Sequence, residues 1–175
     1  MGTQVLAAII KECGQINRFA HQTYLNISEN ATDPDTQTYF SDIAQAELDT
    51  LEEWDIFYDI IETHSLAPPM NSLDSMKDML TGLRELAELM ASFEKKSQNG
   101  IAASNPYEFV TELESHLDFL PYIIFRCLIE QASSEFATRE SLEIIKARFS
   151  GRLKTLNLDP EAMCQFCQHL KTLKA

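Results

Sequence analysis

The chain has 175 residues, 45% of them hydrophobic and 23% charged, which is enough for a single domain with a core of its own. Twenty-seven Asp and Glu against fourteen Lys and Arg leave a formal net charge of −13. That balance argues against nucleic acid and against anionic membrane surfaces, both of which select for clustered cations.

With five Gly, six Pro and no alternating run bounded by turn residues, the composition favours helix throughout. At the start, residues 3–10 are apolar but short, lack a basic flank and run into Lys11 and Glu12, so they do not read as a targeting signal. The first predicted helix covers residues 3–30, with Val5, Ile9, Ile16 and Phe19 as its apolar stripe and Glu12 at the same spacing. Asp33 and Pro34 read as the N-cap and first residue of a second helix over 34–63. The paired prolines at 68 and 69 break the chain before a third helix over 72–97, with a seam of Leu73, Met76, Leu80, Leu83, Ala87 and Met90 that Glu94 continues. Asn105-Pro106-Tyr107-Glu108 starts a fourth helix to about residue 134, which buries Val110, Leu113, Leu117, Leu120, Ile124 and Leu128 and which Pro121 should kink or split. A fifth helix is expected over 138–156, burying Leu142, Ile145, Phe149, Leu153 and Leu156, and a short sixth over 159–173. The longest apolar run, 119–129, is interrupted by Arg126 and too short to span a bilayer. These readings give an all-α single domain over 1–175, with bundle helices in 1–134 and C-terminal helices in 135–175. The expected location is cytoplasmic, with reduced thiols.

The most informative position is Glu47. Along the second helix the apolar residues step by four and three through Phe40, Ala44, Leu51, Trp54, Tyr58 and Ile61, and Glu47 falls on that seam. A carboxylate aimed at the centre of a bundle is costly unless it is paired, protonated or bound to metal.

The segment Glu12-Cys-Gly-Gln-Ile-Asn-Arg-Phe19 with Tyr24, followed by Asp33-Pro34, Tyr39-Phe40, Ile43-Ala44, Glu47 and Trp54, resembles the first half of ferritin-like diiron proteins of the rubrerythrin type. The resemblance implies a ferritin-like four-helix bundle with an added C-terminal helical hairpin, and subunits that pair as a homodimer along their first two helices. It also implies that a Glu of the first helix and an E-x-x-H of the second hold one side of a diiron centre. Here Thr50 stands where that His belongs, and no E-x-x-H occurs anywhere in the chain. The candidate metal ligands are Glu12, Glu47, Glu94, Glu112 and His116, the last two from Glu112-Leu-Glu114-Ser-His116. The connection after the second helix is also short for this family. A helix of about 27 residues is about 40 Å long, whereas about nine extended residues reach only about 30 Å. Either the first turns of the third helix belong to the crossover or the connectivity differs.

The other chemical signals are weaker. Cys164-Gln-Phe-Cys167 puts two thiols on one helix face, but a tetrahedral zinc site needs two further ligands and no second CxxC is present. Cys13 and Cys127 lie on or beside apolar stripes and read as small core residues. His21, His64, His116 and His169 lack metal-ligand spacing, with His116 alone bordering a stripe.

The expected function is a non-catalytic or metal-depleted ferritin-like bundle that binds no cofactor and acts through protein–protein contacts, with catalysis left open as the alternative. One alternative is a divergent metal-dependent oxidoreductase, with a diiron or other metal centre, using Glu12 and Glu47. Another is an acidic helical chaperone or adaptor, which would carry an exposed apolar groove.

Overall fold

The computed structural model describes residues 1–70, 72–100, 102, 104–133, 156, 158 and 160–175. Among them lie six helices: α1 (Gly2–Asn30), α2 (Pro34–His64), α3 (Leu73–Gln98), α4 (Pro106–Leu117), α5 (Leu120–Ser133) and α6 (Pro160–Lys174). No β-strand occurs among the described residues, and the one extended pairing is an isolated bridge between Met70 and Leu158. The fold is all-α. The predicted fifth helix, with Leu142, Ile145, Phe149 and Leu153, lies outside the described residues, so of the expected C-terminal hairpin only α6 is described.

Local chemistry sets the helix ends. The Asp33 side chain accepts from the Thr36 amide at 2.9 Å, with Pro34 in the first turn. Ser72 accepts from the Ser75 amide at 3.2 Å. Asn105 accepts from the Glu108 amide at 3.3 Å and returns a bond from Nδ2 to the Glu108 carboxylate at 2.7 Å, so donors and acceptors of the first turn are satisfied together. At the far end of α2 the chain turns through Ser65, the one non-glycine residue with positive φ (51°) among those described.

The predicted fourth helix is two helices. Asp118 and Phe119 separate α4 from α5, and Pro121 falls in the first turn of α5, where its missing N–H costs nothing. The Phe119 ring lies over Gly82 of α3, so close that a Cβ built at Gly82 would stand 2.6 Å from Phe119 Cζ.

Cross-helix pairs give the directions. Tyr24 meets Phe40 and Asn17 meets Trp54, so α1 and α2 are antiparallel. Glu12 meets Arg84 and Asn26 meets Ser97, so α1 and α3 run parallel. α4 then packs on α3 through Phe93, whose ring meets Phe109 and His116, and the chain passes Gly82 at Phe119 before entering α5. Direction therefore alternates through α1, α2 and α3. This departs from the connectivity that the ferritin-like resemblance implies, in which a bundle-length crossover makes the second and third helices parallel. The 65–72 segment is too short for such a crossover and instead turns the chain back on itself.

α1 packs against α2, α3 and α5 and is the central helix. It therefore carries two apolar seams. Beside the predicted Ile9 and Ile16, a second row of Leu6, Ile10, Cys13, Ala20, Tyr24 and Ile27 is buried. On α2 the expected Phe40, Ala44, Leu51, Trp54 and Ile61 are buried, but Phe57 takes the inward place expected of Tyr58, which is half-buried. α6 closes over α5 and α2: the Cys167 thiol donates to the Leu128 carbonyl at 3.5 Å, and Lys174 pairs with Glu53 and sits 5.7 Å from the Phe57 ring centre.

Candidate functional site

Three helices converge on Glu47, which is only 6% exposed. α1 supplies Asn17, α2 supplies Glu47 and Trp54 two turns apart on one face, and α5 supplies Tyr122 and Arg126 one turn apart. Their hydrogen bonds close into a ring. Asn17 Nδ2 donates to Glu47 Oε2. Arg126 Nη2 donates to Glu47 Oε1 at 3.2 Å and Nη1 donates to the Tyr122 hydroxyl at 3.3 Å. The Tyr122 hydroxyl in turn donates to Asn17 Oδ1 at 2.8 Å.

Trp54 Nε1 also donates to Asn17 Oδ1 at 2.8 Å. An indole N–H is a donor only, so this contact fixes which end of the amide is oxygen and aims the NH2 group at the carboxylate. Arg126 completes its fork through Nε to Glu130 Oε1 at 3.2 Å. Tyr24 approaches from the side, donating to Glu114 Oε1 at 3.4 Å.

The electrostatics follow from burial. Burial raises the Glu47 pKa above the ordinary carboxylate value, against the opposing pull of Arg126 and the Asn17 hydrogen bond. Burial also works against the charge on Arg126, but the Tyr122 oxygen, Glu47 and Glu130 outweigh it and hold the guanidinium as a cation. Tyr122 and Tyr24 are both pushed up, chiefly by burial, so both hydroxyls keep their protons. The Cys13 thiol is pushed well up by burial and by the neighbouring Glu12, which leaves no reactive thiolate there.

The candidate ligands do not converge. Glu12 is half-buried and pairs with Arg84 Nε of α3 at 3.5 Å, away from Glu47. Glu94 is half-buried near the end of α3 and accepts from Gln98 one turn on. Glu112 is exposed on α4. His116 is also exposed, its ring centre 5.8 Å from that of Phe93. Among the described residues no three His, Cys, Asp or Glu side chains are grouped to hold a metal ion. Glu47 has both oxygens engaged, one by the Asn17 amide and one by the Arg126 guanidinium. Among the described residues, the candidate ligands do not fit a diiron centre. Nor does the CxxC offer an open dithiol, since Cys167 is buried against α5.

Asn17, Tyr122 and Arg126 were not singled out from the sequence. Asn17 was legible, because Leu6, Ile10, Cys13, Asn17, Ala20, Tyr24 and Ile27 step by four and three, the same rule that exposed Glu47. Arg126 is the one charge within the 119–129 apolar run. Nothing in the sequence marks Tyr122.

A scan against models of known families and searches of curated proteins and of solved structures found no match to this chain.

Two measurements check the ring. Asn17→Ala leaves Trp54 and Tyr122 without their acceptor and Glu47 Oε2 without its donor, and should lower the unfolding free energy by about 3–5 kcal/mol; urea unfolding followed by Trp54 fluorescence reads it. The second concerns pH. The folded Glu47 carboxyl holds its proton to higher pH than the unfolded one, so it favours folding most below the ordinary carboxylate pKa and loses that advantage as pH rises through its raised folded value. Glu47→Gln removes this dependence. Urea titrations between acid and neutral pH should show wild-type stability falling relative to Glu47→Gln over that interval and then levelling off.

Proposed function

We propose that this chain is a non-catalytic helical-bundle protein that acts through its surfaces. The observation that carries the reading is the closed Asn17–Glu47–Arg126–Tyr122 ring. The one buried carboxylate among the described residues is already satisfied by an amide and a guanidinium. A saturated ring can lock helices together, but it offers no free nucleophile, no open coordination position and no poised base. From the ferritin-like resemblance the reading retains a bundle without its iron ligands. The alternating helix direction counts against a shared connectivity.

The surface reading also includes self-association as a homodimer. A groove between α1 and α2, floored by Gly14 and Trp54, has Lys11 and Arg18 on its α1 side and Asp55 on its α2 side. Opposite charges on adjacent helices make such a face self-complementary about a two-fold axis. Charge reversal at Lys11 and Arg18 should then lower the mass measured by light scattering from that of two chains to that of one.

The experiment that tests the reading is elemental analysis after aerobic incubation with ferrous iron, comparing wild type with Glu47→Ala. Iron at background in both is expected. About two irons per chain in the wild type, lost in the variant, would replace this reading with a metal-dependent oxidoreductase.

A further inference from the structure

Two of the four large apolar side chains that stand exposed among the described residues belong to different helices yet touch. Tyr39 of α2 is 50% exposed and Tyr107 of α4 is 53% exposed, and their ring centres are 5.8 Å apart. Both rest on the fully buried Phe40 ring, at 5.1 and 5.4 Å. The pair is therefore a fixed aromatic platform open to solvent, not a loose tip.

The charge around it is one-sided. α2 carries nine Asp and Glu and α4 three, and neither helix contains a single Lys or Arg. Asp35 and Asp42 lie one turn either side of Tyr39 on its own face, and Glu108 adjoins Tyr107 in the first turn of α4. All three are exposed, and among the described residues none has a cation within ion-pair distance.

Aromatic faces attract cations through the ring quadrupole, and a guanidinium stacks on tyrosine while pairing with a carboxylate beside it. We infer that the Tyr39–Tyr107 platform, with its rim of Asp35, Asp42 and Glu108, docks an arginine-bearing segment of a partner protein. This deepens the surface reading proposed above and rests on it. Charge complementarity selects the occupant: a second copy of this chain would bring the same acidic rim against itself and be repelled.

The test uses the full chain and a labelled short peptide alternating arginine and glycine, with fluorescence anisotropy at physiological ionic strength. Binding by the wild type is expected. It should weaken about tenfold in Tyr39→Ala/Tyr107→Ala, the size of two lost cation–π contacts, and comparably in Asp35→Asn/Asp42→Asn. Asp74→Asn/Asp78→Asn, which removes equal charge from the exposed start of α3, should leave it within about twofold. Tyr39→Leu/Tyr107→Leu keeps the apolar bulk and loses the π-faces, so it gives the same weakening even if the alanine pair perturbs the fold.

Three outcomes would overturn the inference. They are no binding to the wild type, equal weakening by the Asp74/Asp78 pair, and a mass that halves in the tyrosine variants, which would make the platform a contact between copies. None of these bears on the iron content of the wild type, whereas iron bound through Glu47 would remove the surface reading underneath.

Discussion

The structure depends on one charged pair held where charge is expensive. Taking Glu47 and Arg126 out of water costs several kcal/mol per ion, and their attraction offsets this only if the remaining hydrogen-bonding capacity is also used. The ring meets that condition. Asn17 supplies the second donor to the carboxylate, the Tyr122 hydroxyl takes the second guanidinium N–H, and the tyrosine proton returns to Asn17. Each member orients the next, so the geometry is fixed by bonding as well as by packing.

Such a ring contributes less to net stability than to specificity. Apolar residues of similar volume at these positions would pack α1, α2 and α5 at least as tightly. They would also permit alternatives, because apolar seams stepping by four and three can slide by a heptad with little change in contact. A slide of α5 along the α1–α2 groove would part Arg126 from Glu47 Oε1 and the Tyr122 hydroxyl from Asn17, leaving a carboxylate oxygen, a guanidinium and a tyrosine hydroxyl without these partners, at about 1–3 kcal/mol each. The ring thus acts as a register pin between the α1–α2 hairpin and the helix that follows the Phe119 break.

Much of this was legible in the sequence and some was not, for identifiable reasons. The caps at Asp33, Ser72 and Asn105 are local, set by residues three apart, and the helix starts followed from them. Glu47 stood out because one seam carries the α2 pattern. On α1 two seams interleave, since helices pack on both sides, so Asn17 was masked by reading a single stripe through Ile9 and Ile16. Arg126 could be noticed but not paired, because its partner lies 79 residues away on another helix. The resemblance to diiron bundles rested on where carboxylates sit along helices 1 and 2. It could not show that the cation meeting Glu47 is a guanidinium, nor that Glu12 faces Arg84.

The distances along the chain between ring members also imply an order of assembly. Asn17 and Glu47 are 30 residues apart and Asn17 and Trp54 are 37, whereas Asn17 and Tyr122 are separated by 105. Loop closure costs entropy that grows with separation, so the α1–α2 hairpin has the shortest search and should nucleate folding. In that early hairpin Glu47 and Asn17 still face water, with the amide already aligned by the indole. Arrival of α5 expels that water and delivers the cation in the same step, so the carboxylate need not be dehydrated before its counterion is at hand.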